Sequence, residues 1–422
     1  MKRAAALIVT LFLCVVALTA QQPAPAFRAA VDLIAVDVQV VDKNGAPLTR
    51  LLPRQFAVTI GGKARNVVSA DLVSVETTVP ATPPTAQATP PTATPPAAAP
   101  EPGRTYILAV DAMSFQPADF APAREAARAF VDRLRPNDRV GLAVFPFGPF
   151  IDITTNHART QAALGQVVGQ GDSESSDQLQ LSPSSIVDLA LTDVGMATRD
   201  IDGLRRADPA LVAKLLAICS DPPERVFCIP DLVARARAQG QFQQAQARDR
   251  MSALRATLQS LRGMSQRKIV VLVSGGMMSS DRTGSAPNVG DVGRLVGQAA
   301  AEVNASVYTL FFDRLGSDRA TFARRTQRPA EAARDSAMLA RPLEAIADAS
   351  GGAFLRIAQG SGDFAFERIL QETSAYYVLG VEPDARDRDG KPHELRVKVD
   401  ARDSTVRGRS WVVLPAAPAP AK

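Results

Sequence analysis

Residues 106–110 read Tyr-Ile-Leu-Ala-Val and are followed at once by Asp111. A second apolar run, Lys268–Ser274, ends at Gly275 and Gly276. Short continuous apolar runs bounded by turn residues are typical of strands that are buried on both faces of a sheet. The two runs therefore predict neighbouring elements of a mostly parallel sheet. Asp111 and the two glycines would lie at the carboxyl ends of these strands.

The sequence around these two runs alternates between helical and strand patterns. Apolar residues recur at helical spacing between Phe120 and Leu134, and Pro136-Asn137-Asp138 ends that helix. Further apolar strand patterns occupy residues 140–144, 150–153, 307–311, 353–355 and 376–380. Strands that are separated by helices predict an α/β fold with a doubly wound, mostly parallel sheet, and the pattern at 376–380 closes the series.

Both ends of this region carry strand patterns of a different kind. Apolar and polar residues alternate between residues 27 and 78, and Lys43-Asn44-Gly45 is a strong turn signal. We expect a small β-sandwich-like domain over 27–78. Residues 383–414 contain two further strand patterns, at 394–399 and 411–414. These patterns predict a C-terminal β hairpin.

Three other stretches divide the chain. Residues 79–104 are rich in Pro, Ala and Thr, a composition that predicts an extended linker. The α/β domain is expected to span 105–382, with an insertion at about 169–240 that begins polar and becomes helical. The Pro/Ala-rich residues 415–422 predict a disordered tail.

The N-terminus has the pattern of a signal peptide. Lys2 and Arg3 precede an uncharged, mostly apolar run that ends near Ala20. Cleavage would remove residues 1–20, and an uncleaved membrane anchor is the alternative. No other stretch is apolar enough to predict a membrane span. The mature protein is therefore expected to be exported, to the periplasm, the outer surface or the medium.

Export changes the interpretation of the cysteines, because only Cys219 and Cys228 would remain in the mature chain. Two prolines between them favour a turn that would bring the sulfur atoms together. An oxidising compartment then predicts a disulfide between these two residues. Two free, buried thiols are the alternative.

Composition excludes several classes of function. The 422 residues, 46% of them hydrophobic, allow two or three domains with cores. The net charge is only +5 and the basic residues are scattered among acidic ones, so a nucleic-acid partner is not expected. His157 and His393 are the only histidines, which excludes a multi-histidine centre. Ser274 lacks the preceding glycine of a nucleophile elbow, because Leu272 stands there. No catalytic residue is assigned.

The strand that ends in Asp111, the turn at 136–140 and the segment 271–276 together resemble a von Willebrand factor type A domain. The order of all the segments looks like the VWFA-related proteins of acidobacterial type. This resemblance implies an exported, non-enzymatic module for protein–protein interaction or adhesion, with an unknown extracytoplasmic protein as its partner. The binding loops would follow the strands and contain Met113, Phe115, Gly275 and Gly276.

Members of this domain class often bind a divalent cation through Asp-x-Ser-x-Ser after the first strand. Here the segment reads Asp111-Ala112-Met113-Ser114-Phe115, and only Asp111 is in register. On an extended segment Ser114 would point away from Asp111. A glycine replaces the second aspartate expected after the later strand, and Asp281 lies several residues further on. We therefore expect no cofactor beyond weak Mg²⁺ binding.

Two alternative functions remain. The first is a divalent-metal-dependent adhesion module in which Asp111, Ser114 and Asp281 form an altered metal site. The second is a hydrolase. Metal-dependent partner binding would favour the first, and substrate turnover would favour the second.

Overall fold

The computed structural model of the chain describes residues 33–75, 103–171, 182–191, 209–220, 225–313, 329–358, 360 and 362–416. The expected signal peptide at 1–20 lies outside the described residues, as do nearly all of the expected linker and most of the expected tail. The described structure from Ile34 onward belongs to one compact unit. No helix within the described ranges combines the length and the apolar composition that a membrane span requires.

The strands of the described ranges are β1 (Ile34–Asp42), β2 (Phe56–Ile60), β3 (Lys63–Arg65), β4 (Val67–Ser74), β5 (Thr105–Asp111), β6 (Arg139–Phe145), β7 (Phe150–Thr154), β8 (Lys268–Ser274), β9 (Ala305–Phe312), β10 (Phe354–Ile357), β11 (Ala375–Val381), β12 (Pro392–Val399), β13 (Ser404–Gly408) and β14 (Trp411–Val413). The α-helices are α1 (Ala121–Asp132), α2 (His157–Gly165), α3 (Pro183–Ala190), α4 (Pro209–Ile218), α5 (Arg225–Ser260), α6 (Val292–Glu302), α7 (Pro329–Ser350) and α8 (Asp363–Glu372).

The central sheet has six strands in the order β10-β9-β8-β5-β6-β7. All neighbours are parallel except β7, which runs antiparallel to β6. The mostly parallel sheet predicted from the sequence is therefore confirmed. The strand order reverses between β5 and β8, and such a switch point in a doubly wound sheet leaves a crevice at the carboxyl ends of its strands. Every residue of these two strands is buried.

Helices cover both faces of this sheet. Phe130 of α1 and Phe366 of α8 are buried on one face, with ring centroids 5.1 Å apart. On the other face, Leu258 of α5, Val296 of α6 and Ile346 of α7 form a second buried cluster with the strands. Burial on both faces explains why β5 and β8 are continuously apolar instead of alternating.

A β-sandwich is formed by strands from both ends of the described chain. Its two four-stranded sheets have the orders β13-β1-β11-β4 and β14-β12-β2-β3. The strand pattern at 376–380 was expected to close the parallel series, but this strand, β11, pairs antiparallel with β1 and β4. Its residues are alternately buried and half-buried, as expected for a strand with one face in a sandwich core.

The expected C-terminal hairpin also differs from the structure. β12 pairs with β2 and β14, whereas β13 pairs with β1 in the other sheet. The N-terminal strands and the C-terminal segment therefore share one hydrophobic core, which includes Val36, Phe56, Tyr377 and Leu395. An alternating pattern identifies a strand and its inner face, but it does not identify the partner strand. For this reason the sequence suggested two separate elements.

Buried polar contacts join the sandwich to the α/β layers. The Tyr308 hydroxyl of β9 donates to Oε1 of Gln39 at 2.9 Å, and the Gln39 amide donates to the Glu372 carbonyl at 2.9 Å. Arg407 of β13 forms an ion pair with the Glu372 carboxylate at 2.7 Å. Because Gln39, Tyr308 and Glu372 are buried and hydrogen-bonded, these contacts favour a single arrangement of the two layers.

The insertion contains α3, α4 and the first part of α5. Ile186, Leu215 and Val233, one from each helix, form part of a separate buried cluster. Cys219 and Cys228 form a disulfide beside it, with their Cα atoms 5.8 Å apart. The insertion was expected to end near residue 240, but α5 continues to Ser260 and packs its later turns on the central sheet. One helix thus connects the insertion to the sheet.

Candidate functional site

The switch point of the central sheet places Asp111 beside Ser274. Asp111 ends β5 and Ser274 ends β8, and the two strands pair with Val110 opposite Val273. The Ser274 hydroxyl donates to Oδ2 of Asp111 at 2.8 Å. Both side chains are buried. The crevice predicted from the strand order therefore contains a carboxylate that is held by the neighbouring strand.

The loop after β5 turns back onto this carboxylate. Ala112–Ser114 form a 3₁₀ turn, which brings residues three apart onto one side. The Ser114 hydroxyl consequently donates to the Asp111 carbonyl at 2.6 Å and accepts from the Gly275 amide at 2.7 Å. The expectation that Ser114 points away from Asp111 was wrong, because the segment is not extended.

The two glycines after β8 allow the loops of β5 and β8 to touch. A Cβ atom on Gly275 would lie 2.4 Å from the Ser114 carbonyl oxygen. Gly276 has a φ of +110°, and a Cβ there would lie 2.8 Å from the Cβ of Leu339. A side chain at Gly275 would therefore force the two loops apart, and one at Gly276 would clash with α7 and strain the backbone.

The four residues proposed as binding loops differ in their exposure. Gly275 and Gly276 are buried, and Phe115 is fully buried with its ring centroid 5.1 Å from that of Phe120. Met113 is half-buried. Direct contact with a partner through Phe115 or the glycines is thus excluded in this conformation. Phe115 is a core residue, because the 3₁₀ turn directs it beneath the loop.

Arg250 of α5 supplies a positive charge beside Asp111. Its Nε donates to both carboxylate oxygens of Asp111, at 2.9 and 3.0 Å. Its Nη2 donates to Oδ2 of Asp111 and to the carbonyl of Gly276. The Arg250 side chain is 10% exposed and that of Asp111 is 2% exposed. The guanidinium therefore neutralises the carboxylate inside the fold, at the side chain where the resemblance implied a metal ion.

Sequence reasoning missed Arg250, although a signal was present. Residue 250 lies three positions after Ala247 and four before Leu254, on the apolar face that was predicted for this helix. A single arginine on a buried helix face requires a buried partner. The partner could not be identified, because more than a hundred residues separate Arg250 from Asp111.

Asp281 is bound elsewhere. Both of its carboxylate oxygens accept from Arg334, at 2.7 and 2.9 Å, and the same guanidinium binds Asp188 of α3. Hydrogen bonding to Arg334 lowers the pKa of Asp281. The ligand set of Asp111, Ser114 and Asp281 is therefore not assembled. Within the described ranges, no group of three or more His, Cys, Asp or Glu residues is placed to hold a metal ion.

The fold and the site together define a doubly wound α/β domain whose switch-point carboxylate is paired with the chain's own guanidinium. No family model matches the chain and no curated protein matches it.

Two solved structures are similar to the chain at low scores. An aerotolerance-related membrane protein from Bacteroides fragilis NCTC 9343, with multiple mutations to serine, is 14% identical with a TM-score of 0.31, over 64% of this chain and 98% of that chain. Proximal thread matrix protein 1 from the mussel byssus, with a zinc-occupied MIDAS motif, is 10% identical with a TM-score of 0.29, over 67% of this chain and 48% of that chain. Scores of this size do not establish a shared fold, so the fold assignment rests on the strand order.

Proposed function

We propose that the chain is an exported, non-enzymatic protein-interaction module. It engages an extracytoplasmic protein through the loops at the carboxyl ends of β5 and β8, and it does so without a divalent cation. The observation that carries this proposal is the Asp111–Arg250 pair at the switch point. Sheets of this order bind ligands at that position. Here Arg250 already supplies the positive charge that balances the Asp111 carboxylate, so binding at this position does not require a metal cation.

The contacts of the serines and histidines support a non-enzymatic role. A serine nucleophile needs a base within hydrogen-bonding distance. The hydroxyls of Ser114 and Ser274 donate to the carbonyl and the carboxylate of Asp111. In the described part of the chain, the His157 ring contacts the Asp138 carbonyl, and the His393 ring contacts Asp389. Neither ring is hydrogen-bonded to a serine, and the carboxylate that accepts from Ser274 is already paired with Arg250.

Exposed apolar residues beside the site support a binding surface. Phe147 is 76% exposed and Val168 is 53% exposed. The segment around Val168 is joined to the loop after β5, because the Gln170 amide donates to the Ala112 carbonyl at 2.8 Å. The Gln170 side chain also donates to the Phe147 carbonyl. Contiguous exposed apolar patches are typical of interaction surfaces, and Gln170 links the segments that carry these two side chains.

Export is supported by the disulfide between Cys219 and Cys228, since such bonds persist mainly in oxidising compartments. We expect the mature protein to begin after about residue 20. N-terminal sequencing of protein from the cell envelope and the medium tests this. Retention of Met1 in an envelope fraction would favour the membrane anchor.

The interaction is tested by a pull-down from the envelope of the source cell, with and without EDTA. The proposal expects the same protein to be captured in both conditions. It also expects Phe147→Ser to weaken capture. Phe227→Ser is the matched control, because Phe227 is 79% exposed but lies at the start of α5, in the insertion. Capture that requires Mg²⁺, or turnover of an ester, peptide or glycoside by the purified protein, would contradict the proposal.

A further inference from the structure

The guanidinium of Arg250 uses one of its edges for the contact with Asp111. Nε and Nη2 lie on that edge, and both donate to the carboxylate. The second hydrogen-bond direction of Nη2 is used by the Gly276 carbonyl. The carboxylate itself is further held by the Ser274 hydroxyl. Asp111 and its edge of the guanidinium are therefore fully engaged within the fold.

Nη1, on the opposite side of the guanidinium, is different. It makes no hydrogen bond to any residue in the described part of the chain, and it is not fully enclosed. The side chain as a whole is about nine-tenths buried. A nitrogen with two N–H groups in such a position favours an acceptor, since an unsatisfied donor in a mostly buried site costs free energy. No described residue supplies this acceptor, and solvent or a partner can supply it.

Arg334 shows within the same molecule how a second acceptor fits such a guanidinium. Its Nε and Nη2 donate to Asp281, as those of Arg250 donate to Asp111. Its Nη1 and Nη2 then donate to a second carboxylate, that of Asp188. One arginine thus bridges two acids through two edges. At Arg250 a carbonyl accepts from Nη2, and no described residue accepts from Nη1.

We propose that Nη1 of Arg250 receives a carboxylate oxygen from the protein partner, so that the site selects an acidic peptide segment. This inference rests on the proposed function. Asp111 holds the Nε and Nη2 edge of the guanidinium, so Nη1 is the nitrogen that is left for a second carboxylate. The carboxylate accepts one charge-assisted hydrogen bond, and the half-buried Met113 and Ser114 lie on the adjoining loop.

The test is selection from a random-peptide display library on the immobilised chain in the presence of EDTA. We expect the selected peptides to share an Asp or Glu at a fixed position. Replacing that residue by Asn or Gln in the synthetic peptide should weaken binding by about tenfold or more. This substitution is made in the peptide, so its result does not depend on the folding of a protein variant.

Protein variants then locate the contact. Arg250→Lys keeps a positive charge for Asp111 but removes Nη1. This variant should bind the acidic peptide about tenfold more weakly than wild type does. The paired variant Asp111→Asn with Arg250→Gln removes both charges and leaves no unpaired ion. The matched control is Arg248→Gln, an exposed position on the same helix, which should leave binding unchanged.

The two proposals fail in different ways. Peptides that lose binding in the Arg250 variants but contain no essential acid would overturn the carboxylate inference and leave the proposed function standing. Peptides that bind equally well to wild type, Arg250→Lys and the paired variant would overturn the inference, and binding that is also unchanged in Phe147→Ser would overturn the proposed function. Acid-dependent binding that survives Arg250→Lys would place the acid elsewhere on the surface and overturn the inference.

Discussion

Arg250 and Asp111 form a buried ion pair, although 139 residues separate them along the chain. A buried ion pair is favourable only when its remaining hydrogen-bonding capacity is used, because both charges lose their hydration. Here Ser274 and the Gly276 carbonyl use most of that capacity. Each partner therefore depends on the other, and removal of either one leaves a buried, uncompensated charge.

Replacing Asp111 by Ala tests this dependence. The change leaves the Arg250 guanidinium buried without a counter-charge and removes the acceptor of Ser274. We expect the free energy of unfolding to fall by about 3–5 kcal/mol, as measured by urea denaturation. The control is Asp249→Ala, an exposed acid next to Arg250, which should change stability by less than about 0.5 kcal/mol. Equal effects of the two changes would show that the pair does not stabilise the fold.

Replacing Arg250 by Ala should create a cation site. The carboxylate of Asp111, the hydroxyl of Ser274 and the carbonyl of Gly276 would then border the volume that the guanidinium leaves, and such hard oxygen ligands suit Mg²⁺ or Mn²⁺. A bound ion stabilises the folded state by mass action. We expect millimolar Mg²⁺ or Mn²⁺ to raise the melting temperature of this variant but not that of wild type. An equal shift in wild type would show that the ion binds without displacing the guanidinium, or elsewhere.

At the scale of elements, the disulfide should stabilise only the insertion. It closes a loop of about ten residues between the end of α4 and the start of α5, which favours the folded state by about 2–3 kcal/mol. After reduction we expect faster hydrogen exchange in α3, α4 and the first turns of α5. Exchange in β5 and β8 should be unchanged, and these strands serve as the internal control. Slow exchange in the insertion after reduction would contradict a stabilising role for the bond.

The ion cluster that joins α3 to the loop after β8 should respond to acid. Hydrogen bonding to Arg334 lowers the pKa of Asp281 below its unfolded value. The resulting stability is present above about pH 4 and is lost as the pH falls through the lowered pKa. Asp281→Asn should therefore be less stable than wild type at neutral pH, by about 1 kcal/mol because the pair is partly exposed.

This difference should close as the pH falls through the lowered pKa of Asp281, because the wild-type acid is then protonated. Urea denaturation of both proteins between pH 2 and 7, at about one-unit steps, measures it. A difference that is constant over that range would show that the charge of Asp281 contributes nothing.

The sequence predicted where the strands lie better than it predicted which strands and side chains contact each other. The continuous apolar runs of β5 and β8 identified a sheet that is buried on both faces, because burial imposes that composition. β11 was assigned to the same sheet, although it lies in the sandwich. Its sequence shows little alternation of apolar and polar residues, because the adjacent Tyr376 and Tyr377 have the same side chain on opposite faces of the strand. Arg250 was missed for a related reason. Its partner is fixed by the packing of α5 on the sheet, which no local pattern encodes.

At the scale of the whole molecule, the sandwich depends on strands from both ends of the described chain. A chain that ends at residue 390 would lack β12, β13 and β14, and it would expose the core side of β2, including Phe56 and Val58. We expect residues 34–74 of this truncated chain to become sensitive to protease, as mapped by limited proteolysis and mass spectrometry. A chain that ends at residue 416 is the control and should be as resistant as the full chain. Equal resistance of both would show that β1 and β2 fold without their C-terminal partners.

The placement of β11 between β1 and β4 has a consequence for the order of events during synthesis. Gln39 and its partner Glu372 are 333 residues apart, so β1 leaves the ribosome long before the strands that flank it. At about 5–20 residues per second, this interval is roughly 15–70 s. Throughout that time the edges of β1 and β4 are unpaired and open to aggregation. For an exported chain, as proposed above, the same delay keeps the N-terminal region loosely folded while it is threaded through a translocation channel. The sandwich can close only after the last strands have crossed.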